Sequence, residues 1–119
     1  MTAELFIEEN RDNQYIRKVK NYIKYSYMSN IRVEEIAKAV ALDRYYLSRI
    51  FKKETGKTIQ EYLIDVRMKH ACSFLSEGRS VSESAALCGY FDLPNFSKMF
   101  KCMYGMSPTK FQKATKTVN

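Results

Sequence analysis

The sequence is poor in the residues that build turn-rich or cross-linked folds. Its 119 residues include four glycines, two prolines and no tryptophan, and such scarcity favours helices over an all-β fold with many turns. The three cysteines, Cys72, Cys88 and Cys102, are odd in number and widely spaced, so neither a disulfide framework nor a zinc site fits them. We interpret them as small buried hydrophobic residues in a reducing cytoplasm.

Long apolar runs and catalytic clusters are also missing. No apolar run approaches the roughly 18 residues of a membrane span, and the first ten residues carry Glu4, Glu8 and Glu9, unlike a signal peptide. The single histidine, His70, lies two positions from Cys72 on a predicted helix, so the two side chains would point to different faces. The sequence therefore predicts a cytoplasmic protein with no membrane span, metal, cofactor or enzymatic activity.

Positive charge is what the sequence has in excess. Lysine and arginine number 20 against 13 acidic residues, a formal net charge of +7. A basic surplus on a small domain indicates a polyanionic partner, either nucleic acid or an anionic membrane surface. The first predicted helix, residues 13–27, is basic and amphipathic. Membrane or calmodulin-like binding is one interpretation of such a helix, but we favour a surface helix that packs its apolar side.

Apolar residues recur at helical spacing through most of the chain. Asp43 and Asp92 are suited to cap helices, whereas Gly56 and Gly105 stand where helices end. The predicted helices cover residues 13–27, 33–40, 44–55, 59–76, 81–87, 93–104 and a last one from Pro108. The predicted domains are an N-terminal arm or residual linker at 1–12, a first subdomain at 13–76 and a second subdomain with its tail at 77–119.

The most informative feature is an internal repeat. Residues 33–37 and 81–85 share the pattern VxExA at an offset of 48, and residues 47–52 match 96–101 at an offset of 49. The second copy therefore carries one extra residue, which we expect within 89–93. Each copy reads as a short helix, a tight turn and a longer helix, which is the outline of a helix-turn-helix unit.

The repeat is open to two interpretations, a pair of structural hairpins or a pair of DNA-binding units. The longer helix of each copy and the segment after it carry more basic than acidic residues, whereas a merely solvated surface more often mixes both signs. A recognition helix fits the major groove and reads base edges with its first turns. The helix at 59–76 is long enough to space two such helices.

Three segments carry a resemblance to a known family. Residues 46–56 read YLSRIFKKETG, residues 89–101 read GYFDLPNFSKMFK with GMSP at 105–108, and residues 67–75 contain the spacing RxxxAxxxL. On these motifs the chain resembles the DNA-binding domain of the AraC/XylS family over residues 13–115. The resemblance implies an all-α fold of seven helices, with two helix-turn-helix subdomains joined by a long linking helix. It also implies that two recognition helices enter successive major grooves.

The resemblance assigns roles to individual residues. Base reading falls by position to Arg44, Tyr45, Ser48 and Arg49 on the first recognition helix and to Leu93, Pro94, Asn95, Ser97 and Lys98 on the second. Phosphate contacts fall to Arg32, Lys52, Lys53, Lys101, Thr109 and Lys110. Arg49 is the main candidate for a direct base contact, since arginine bonds guanine O6 and N7 with two donors. Tyr45 is suited to press against a thymine methyl group.

Three positions depart from the family pattern. Residues 93–95 are less polar than expected, so the second recognition helix would read fewer bases and depend more on phosphates or DNA shape. Ser84 stands where the first copy has Ile36, which predicts looser packing of the second unit. Arg32 occupies the place of a serine or threonine cap, and it either approaches a phosphate or is a plain exposed arginine.

The predicted function is that of a sequence-specific, duplex-DNA-binding transcription regulator. Its expected partners are double-stranded DNA, RNA polymerase, and a sensing or dimerisation domain of the kind that family members often carry ahead of this one. The alternative is a helical protein-interaction module that contacts RNA polymerase and uses DNA little. A third class, a small enzyme, has no supporting set of catalytic residues in the sequence.

Overall fold

The computed structural model describes residues 2–116, and within that range every regular element is an α-helix. The seven helices are α1 (Ala3–Ser26), α2 (Val33–Ala39), α3 (Arg44–Thr55), α4 (Ile59–Ser76), α5 (Val81–Leu87), α6 (Leu93–Tyr104) and α7 (Pro108–Lys116). The predicted all-α fold with seven helices is confirmed. In this range no helix is both long enough and apolar enough to cross a membrane.

The two longer helices of the repeat, α3 and α6, begin at an aspartate cap and end at a glycine, as the sequence predicts. Asp43 and Asp92 each accept a hydrogen bond from the backbone N–H three residues later, at 3.0 and 3.2 Å. Gly56 and Gly105 end α3 and α6 with φ of 78° and 75°, in the left-handed region that glycine adopts without strain. The predicted bounds of both helices are confirmed.

The first compact unit packs α1, α2, α3 and the start of α4 around one apolar core. Its buried residues are Ile16, Val19, Ile23, Tyr27, Ile36, Ala37, Val40, Leu47, Ile50, Phe51, Ile59 and Leu63. Phe51 meets Tyr62 edge-on, with ring centroids 5.5 Å apart. Because α3 is held against α1 and α2 by its apolar side, its other side remains exposed.

The second unit has a core of its own, which begins at the later part of α4. Its buried residues include Met68, Ala71, Leu75, Ser84, Ala85, Cys88, Phe96 and Phe100. Phe100 contacts Phe111 of α7 with ring centroids 5.5 Å apart, and Gln112 Nε2 donates to Leu75 O at 3.1 Å. Ser84 is fully buried, and its Oγ has no hydrogen-bond partner in the described part of the chain. The serine in place of Ile36 thus introduces a polar group into this core.

The N-terminal segment differs from its prediction, because α1 begins at Ala3 and not near residue 13. Thr2 caps it by accepting a hydrogen bond from Leu5 N at 3.3 Å. Helical periodicity is missing from this part of the sequence because its apolar residues are consecutive, and Leu5, Phe6 and Ile7 are all exposed. The predicted arm at 1–12 is therefore helical from its third residue, with Met1 outside the described residues.

The division of the chain also falls elsewhere than the sequence suggests. The predicted first subdomain, 13–76, contains all of α4. In the structure the boundary between the two compact units lies between Ile64 and Asp65, inside that helix. Each unit thus uses one part of α4 for its own core. Residues 117–119 of the predicted tail lie outside the described range.

The three cysteines are unpaired, as expected, but their predicted burial is wrong for two of them. Cys88 is buried, Cys72 is half-buried and Cys102 is exposed on α6. Burial raises the pKa of the Cys88 thiol to about 11, because an apolar surrounding disfavours the thiolate. Spacing along the chain could not separate the three, since burial depends on which face of a helix packs.

Candidate nucleic-acid interface

The two helix-turn-helix units close their turns with the same hydrogen bond. The N–H of Leu42 in the first and of Tyr90 in the second donate to the carbonyl five residues earlier, at 3.0 and 2.9 Å. These residues are 48 apart, whereas the caps that follow them, Asp43 and Asp92, are 49 apart. The extra residue predicted for the second copy is therefore Phe91, which is 81% exposed.

Each turn also needs one residue in the left-handed region. Gly89 supplies it in the second unit with φ of 97°, and Ala41 supplies it in the first with φ of 56°. An L-residue with a Cβ is strained there, whereas glycine is not. The first turn is thus held against the local preference of its own sequence by the packing on either side.

The outer face of α3 presents all the residues predicted to read DNA from the first unit. The exposed candidates are Arg44, Tyr45, Ser48, Arg49, Lys52 and Lys53. Positions three and four apart lie on one side of a helix, so these side chains form a continuous polar and basic surface. Tyr45 is 78% exposed, so its ring is accessible on this surface.

Arg44 has a partner within the protein. Its guanidinium forms an ion pair with Glu34 of α2, and both side chains are about half exposed. It also lies over the Tyr45 ring, 5.7 Å from the centroid. An exposed ion pair contributes about 0–1 kcal/mol, so a phosphate or a base edge could replace Glu34 at little cost.

Arg49 is held on the surface of the same helix. Its guanidinium lies 5.1 Å from the centroid of the Tyr46 ring, a cation–π arrangement. It lines two open clefts, one of about 440 Å³ shared with residues of α1 and one of about 420 Å³ shared with Asp43 and Tyr45. The candidate base reader therefore stands between the N-terminal part of α1 and the first turn of α3.

Tyr46 connects Arg49 to α1. Its hydroxyl donates a hydrogen bond to Asp12 Oδ1 at 2.8 Å. The same hydrogen bond raises the pKa of Tyr46 above its usual value, because it stabilises the protonated phenol beside a carboxylate. Three side chains from α1 and α3 therefore form one chain of contacts that ends at Arg49.

On α6 the predicted residues are less uniform. Leu93, Pro94, Asn95 and Lys98 are exposed, whereas Ser97 is only half exposed beside the buried Phe96. The first turn of α6 thus presents leucine, proline and asparagine at the positions where α3 presents arginine and two tyrosines. Exposed polar atoms for base contacts are fewer on this helix than on α3.

The predicted phosphate-binding residues are all exposed: Arg32, Lys52, Lys53, Lys101, Thr109 and Lys110. Arg32 makes no side-chain capping bond at the start of α2, whereas Ser80 caps α5 in the second copy. Lys52 Nζ donates to Gly56 O at 3.2 Å, near the end of α3. Thr109 and Lys110 lie in the first turn of α7, which begins at Pro108 as predicted.

Three residues near the interface were missed. Asp12 and Arg11 were assigned to an arm, although both line the larger cleft beside Arg49. The signal for them was weak, because no apolar stripe marks that part of α1. Phe91 lies within the motif at 89–101, which assigns it no role. A hydrophobic residue just before an N-cap usually packs on the fourth helical residue, so its exposure could not be predicted from the sequence.

Known proteins similar to this chain have the same architecture. Residues 36–114 match the family described as a helix-turn-helix domain. The Msm operon regulatory protein of Streptococcus mutans is 42% identical over 100 residues, which are 83% of this chain and 36% of that protein. The chain thus spans little more than a third of the length of that relative.

Two solved structures share the fold. The C-terminal domain of AraT, a response regulator from Geobacillus stearothermophilus, is 27% identical with a TM-score of 0.81, and the match covers 84% of each chain. The DNA-binding domain of AdpA, a global transcriptional factor solved in complex with a target DNA, has a TM-score of 0.82 at 24% identity and covers 87% of this chain and 95% of its own. The doubled helix-turn-helix pattern and the family match agree, and the chain belongs to the AraC-type helix-turn-helix family of transcription regulators.

Proposed function

We propose that this chain is the DNA-reading part of a transcription regulator and that it places α3 and α6 in successive major grooves of a duplex. The observation that carries the proposal is the exposed face of α3. Its first two turns present polar side chains beyond the Asp43 cap, and lysines follow one turn later. Side chains in the first turns of a recognition helix reach base edges, and cations further along meet phosphates.

Within the first unit, Arg49 is the residue we assign to a direct base contact. It is exposed, its guanidinium lies over the Tyr46 ring, and an arginine can bond guanine O6 and N7 with two of its N–H donors. Ser48 lies beside it and Tyr45 one turn before it on the same face. Tyr45 has the exposed ring needed to meet a thymine methyl group.

In the second unit we assign base contacts to Asn95 and Lys98, with Leu93, Pro94 and Ser97 at the edge of the same surface. Asparagine bonds adenine N6 and N7 with its amide. The apolar Leu93 and Pro94 fit thymine methyl groups or the shape of the groove, but they offer no side-chain hydrogen bond. We therefore propose that most sequence discrimination lies with α3 and that α6 contributes more to affinity.

The phosphate contacts divide between both units. Arg32, Lys52 and Lys53 serve the first, and Lys101, Thr109 and Lys110 serve the second. Thr109 and the N–H groups at the start of α7 can bond a phosphate oxygen without a formal charge. Such contacts orient the domain on DNA and carry little sequence information.

Selection of bound sequences from a random duplex pool, followed by protection mapping on the selected duplex, tests the proposal. Two protected major-groove segments, roughly 34 Å or one helical turn apart, are expected. Arg49→Ala should weaken protection of one segment and Lys98→Ala that of the other. A single protected segment in the unmodified protein, or none, would contradict the proposal.

A protein partner is a second candidate, favoured by the apolar surface around the second turn. Leu87, Phe91 and Leu93 are all exposed there. RNA polymerase is the partner that we propose for this surface, and a sensing or dimerisation domain is the further partner expected of a regulator longer than this chain.

We also propose that the protein acts in the cytoplasm and by binding, not by catalysis. DNA affinity that hardly responds to salt would favour the protein partner over DNA as the main ligand.

A further inference from the structure

The N-terminal part of α1 contacts the recognition helix of the first unit at a defined place. Asp12 accepts a hydrogen bond from the Tyr46 hydroxyl at 2.8 Å, across 34 residues of sequence. The Tyr46 ring in turn carries the Arg49 guanidinium at 5.1 Å. Glu8, Arg11 and Lys53 line the cleft around these three residues.

We propose that Asp12 and Tyr46 are positioning residues that orient Arg49 for base reading. This inference rests on the proposed function, because it requires Arg49 to contact a base. The Tyr46 ring lies against the guanidinium, and the hydrogen bond that the Tyr46 hydroxyl donates to Asp12 fixes the ring. The specificity of the first recognition helix therefore depends on a carboxylate in α1 that has no assigned contact with DNA.

The physical reason is the entropy of a long side chain. An exposed arginine loses much rotamer freedom when two of its N–H donors must meet one guanine. A guanidinium already held over a fixed ring loses less rotamer freedom on binding. More of the free energy of the base contact then remains to discriminate between sequences. A ring that could rotate freely would support Arg49 only part of the time.

The competing explanation is that the Asp12–Tyr46 bond merely fastens α1 to α3. Removing it would then lower stability and weaken binding to every sequence alike. A positioning role instead lowers the preference for the base pair that Arg49 reads. The ratio of two dissociation constants therefore distinguishes the explanations, since a loss common to all duplexes cancels in it.

The experiment measures binding of the full 119-residue chain to two probes. One is the duplex recovered by selection, and the other carries a substitution at the base pair whose preference Arg49→Ala relaxes. We expect Asp12→Ala and Tyr46→Phe each to lower the ratio between the two duplexes by about three- to tenfold. Asp12→Asn keeps an oxygen acceptor for the Tyr46 hydroxyl and should stay within about twofold of the unmodified protein.

Two further measurements isolate the effect. In an Arg49→Ala background, Asp12→Ala should leave the ratio unchanged, because the side chain that it positions is gone. Glu4→Ala removes the same charge from α1 about 12 Å further along the helix and should not alter the ratio. Urea unfolding of each variant reports any loss of stability separately.

The outcomes distinguish failure of the base-reading role of Arg49 from failure of the positioning role of Asp12 and Tyr46. If Arg49→Ala weakens all duplexes equally, the base-reading role fails and this inference fails with it. If Arg49→Ala relaxes one base pair but Asp12→Ala and Tyr46→Phe leave the ratio intact, only this inference is overturned. If Asp12→Asn lowers the ratio as much as Asp12→Ala, the carboxylate charge is responsible, and the proposed hydrogen bond is not.

Discussion

Salt dependence is the most quantitative consequence of the proposed interface. Each phosphate neutralised by a cation releases condensed counterions, so log K falls with log salt concentration by about 0.9 per contact on B-form DNA. The interface offers five exposed cations for phosphate contacts: Arg32, Lys52, Lys53, Lys101 and Lys110. If all five engage, the expected slope is about −4.5.

That slope predicts a large and easily measured effect. Raising the salt concentration fourfold, from about 50 to about 200 mM, should weaken binding by about 500-fold. Fluorescence anisotropy with the selected duplex, repeated at five or six salt concentrations, measures the slope directly. A duplex of unrelated sequence should give a similar slope at lower affinity, because phosphate contacts do not depend on sequence.

Single variants assign the slope to particular residues. Lys52→Ala should reduce its magnitude by about one and weaken binding to selected and unrelated duplexes alike. Lys69→Ala removes an exposed lysine of α4 with no predicted contact and should leave the slope unchanged. The reasoning is refuted if the slope of the unmodified protein is shallower than about −2, or if Lys52→Ala acts on one sequence only.

Three further predictions concern single substitutions. Arg49→Ala should cost about 1–3 kcal/mol on the selected duplex and relax the preference at one base pair; equal losses on all duplexes in anisotropy titrations would make it a phosphate contact. Ala41→Gly should raise the free energy of unfolding by about 0.5–1 kcal/mol, since it relieves a left-handed residue, whereas Ala39→Gly, at the last residue of α2, should lower it in the same urea titration. Ser84→Ala should stabilise by about 1 kcal/mol because it removes a buried hydroxyl without a partner in the described residues. The exposed Ser82→Ala should change stability by less than about 0.5 kcal/mol, and a loss on Ser84→Ala would show that the hydroxyl is satisfied.

Most of the fold could be predicted from the sequence because its signals are local. Asp43 and Asp92 bond backbone groups three residues away, and Gly56 and Gly105 adopt a conformation that their own lack of a Cβ permits. Such preferences act within one helical turn, so they can be read in order along the chain. The repeat added the topology, because two copies of one pattern must form two similar units.

The long-range contacts and the burial of individual side chains were decided only by the tertiary structure, because they depend on residues far apart in sequence. The hydrogen bond between Asp12 and Tyr46 joins positions 34 residues apart, and no local pattern marks either residue as a partner of the other. The exposure of Phe91 and Cys102 likewise could not be predicted from their neighbours in the sequence. Burial is a property of the surface that a residue meets after the chain has packed, whereas capping and turn conformation are properties of the residue and its nearest neighbours. Local sequence preferences therefore determined where the helices begin and end, whereas tertiary packing determined which residues surround the proposed base-reading arginine.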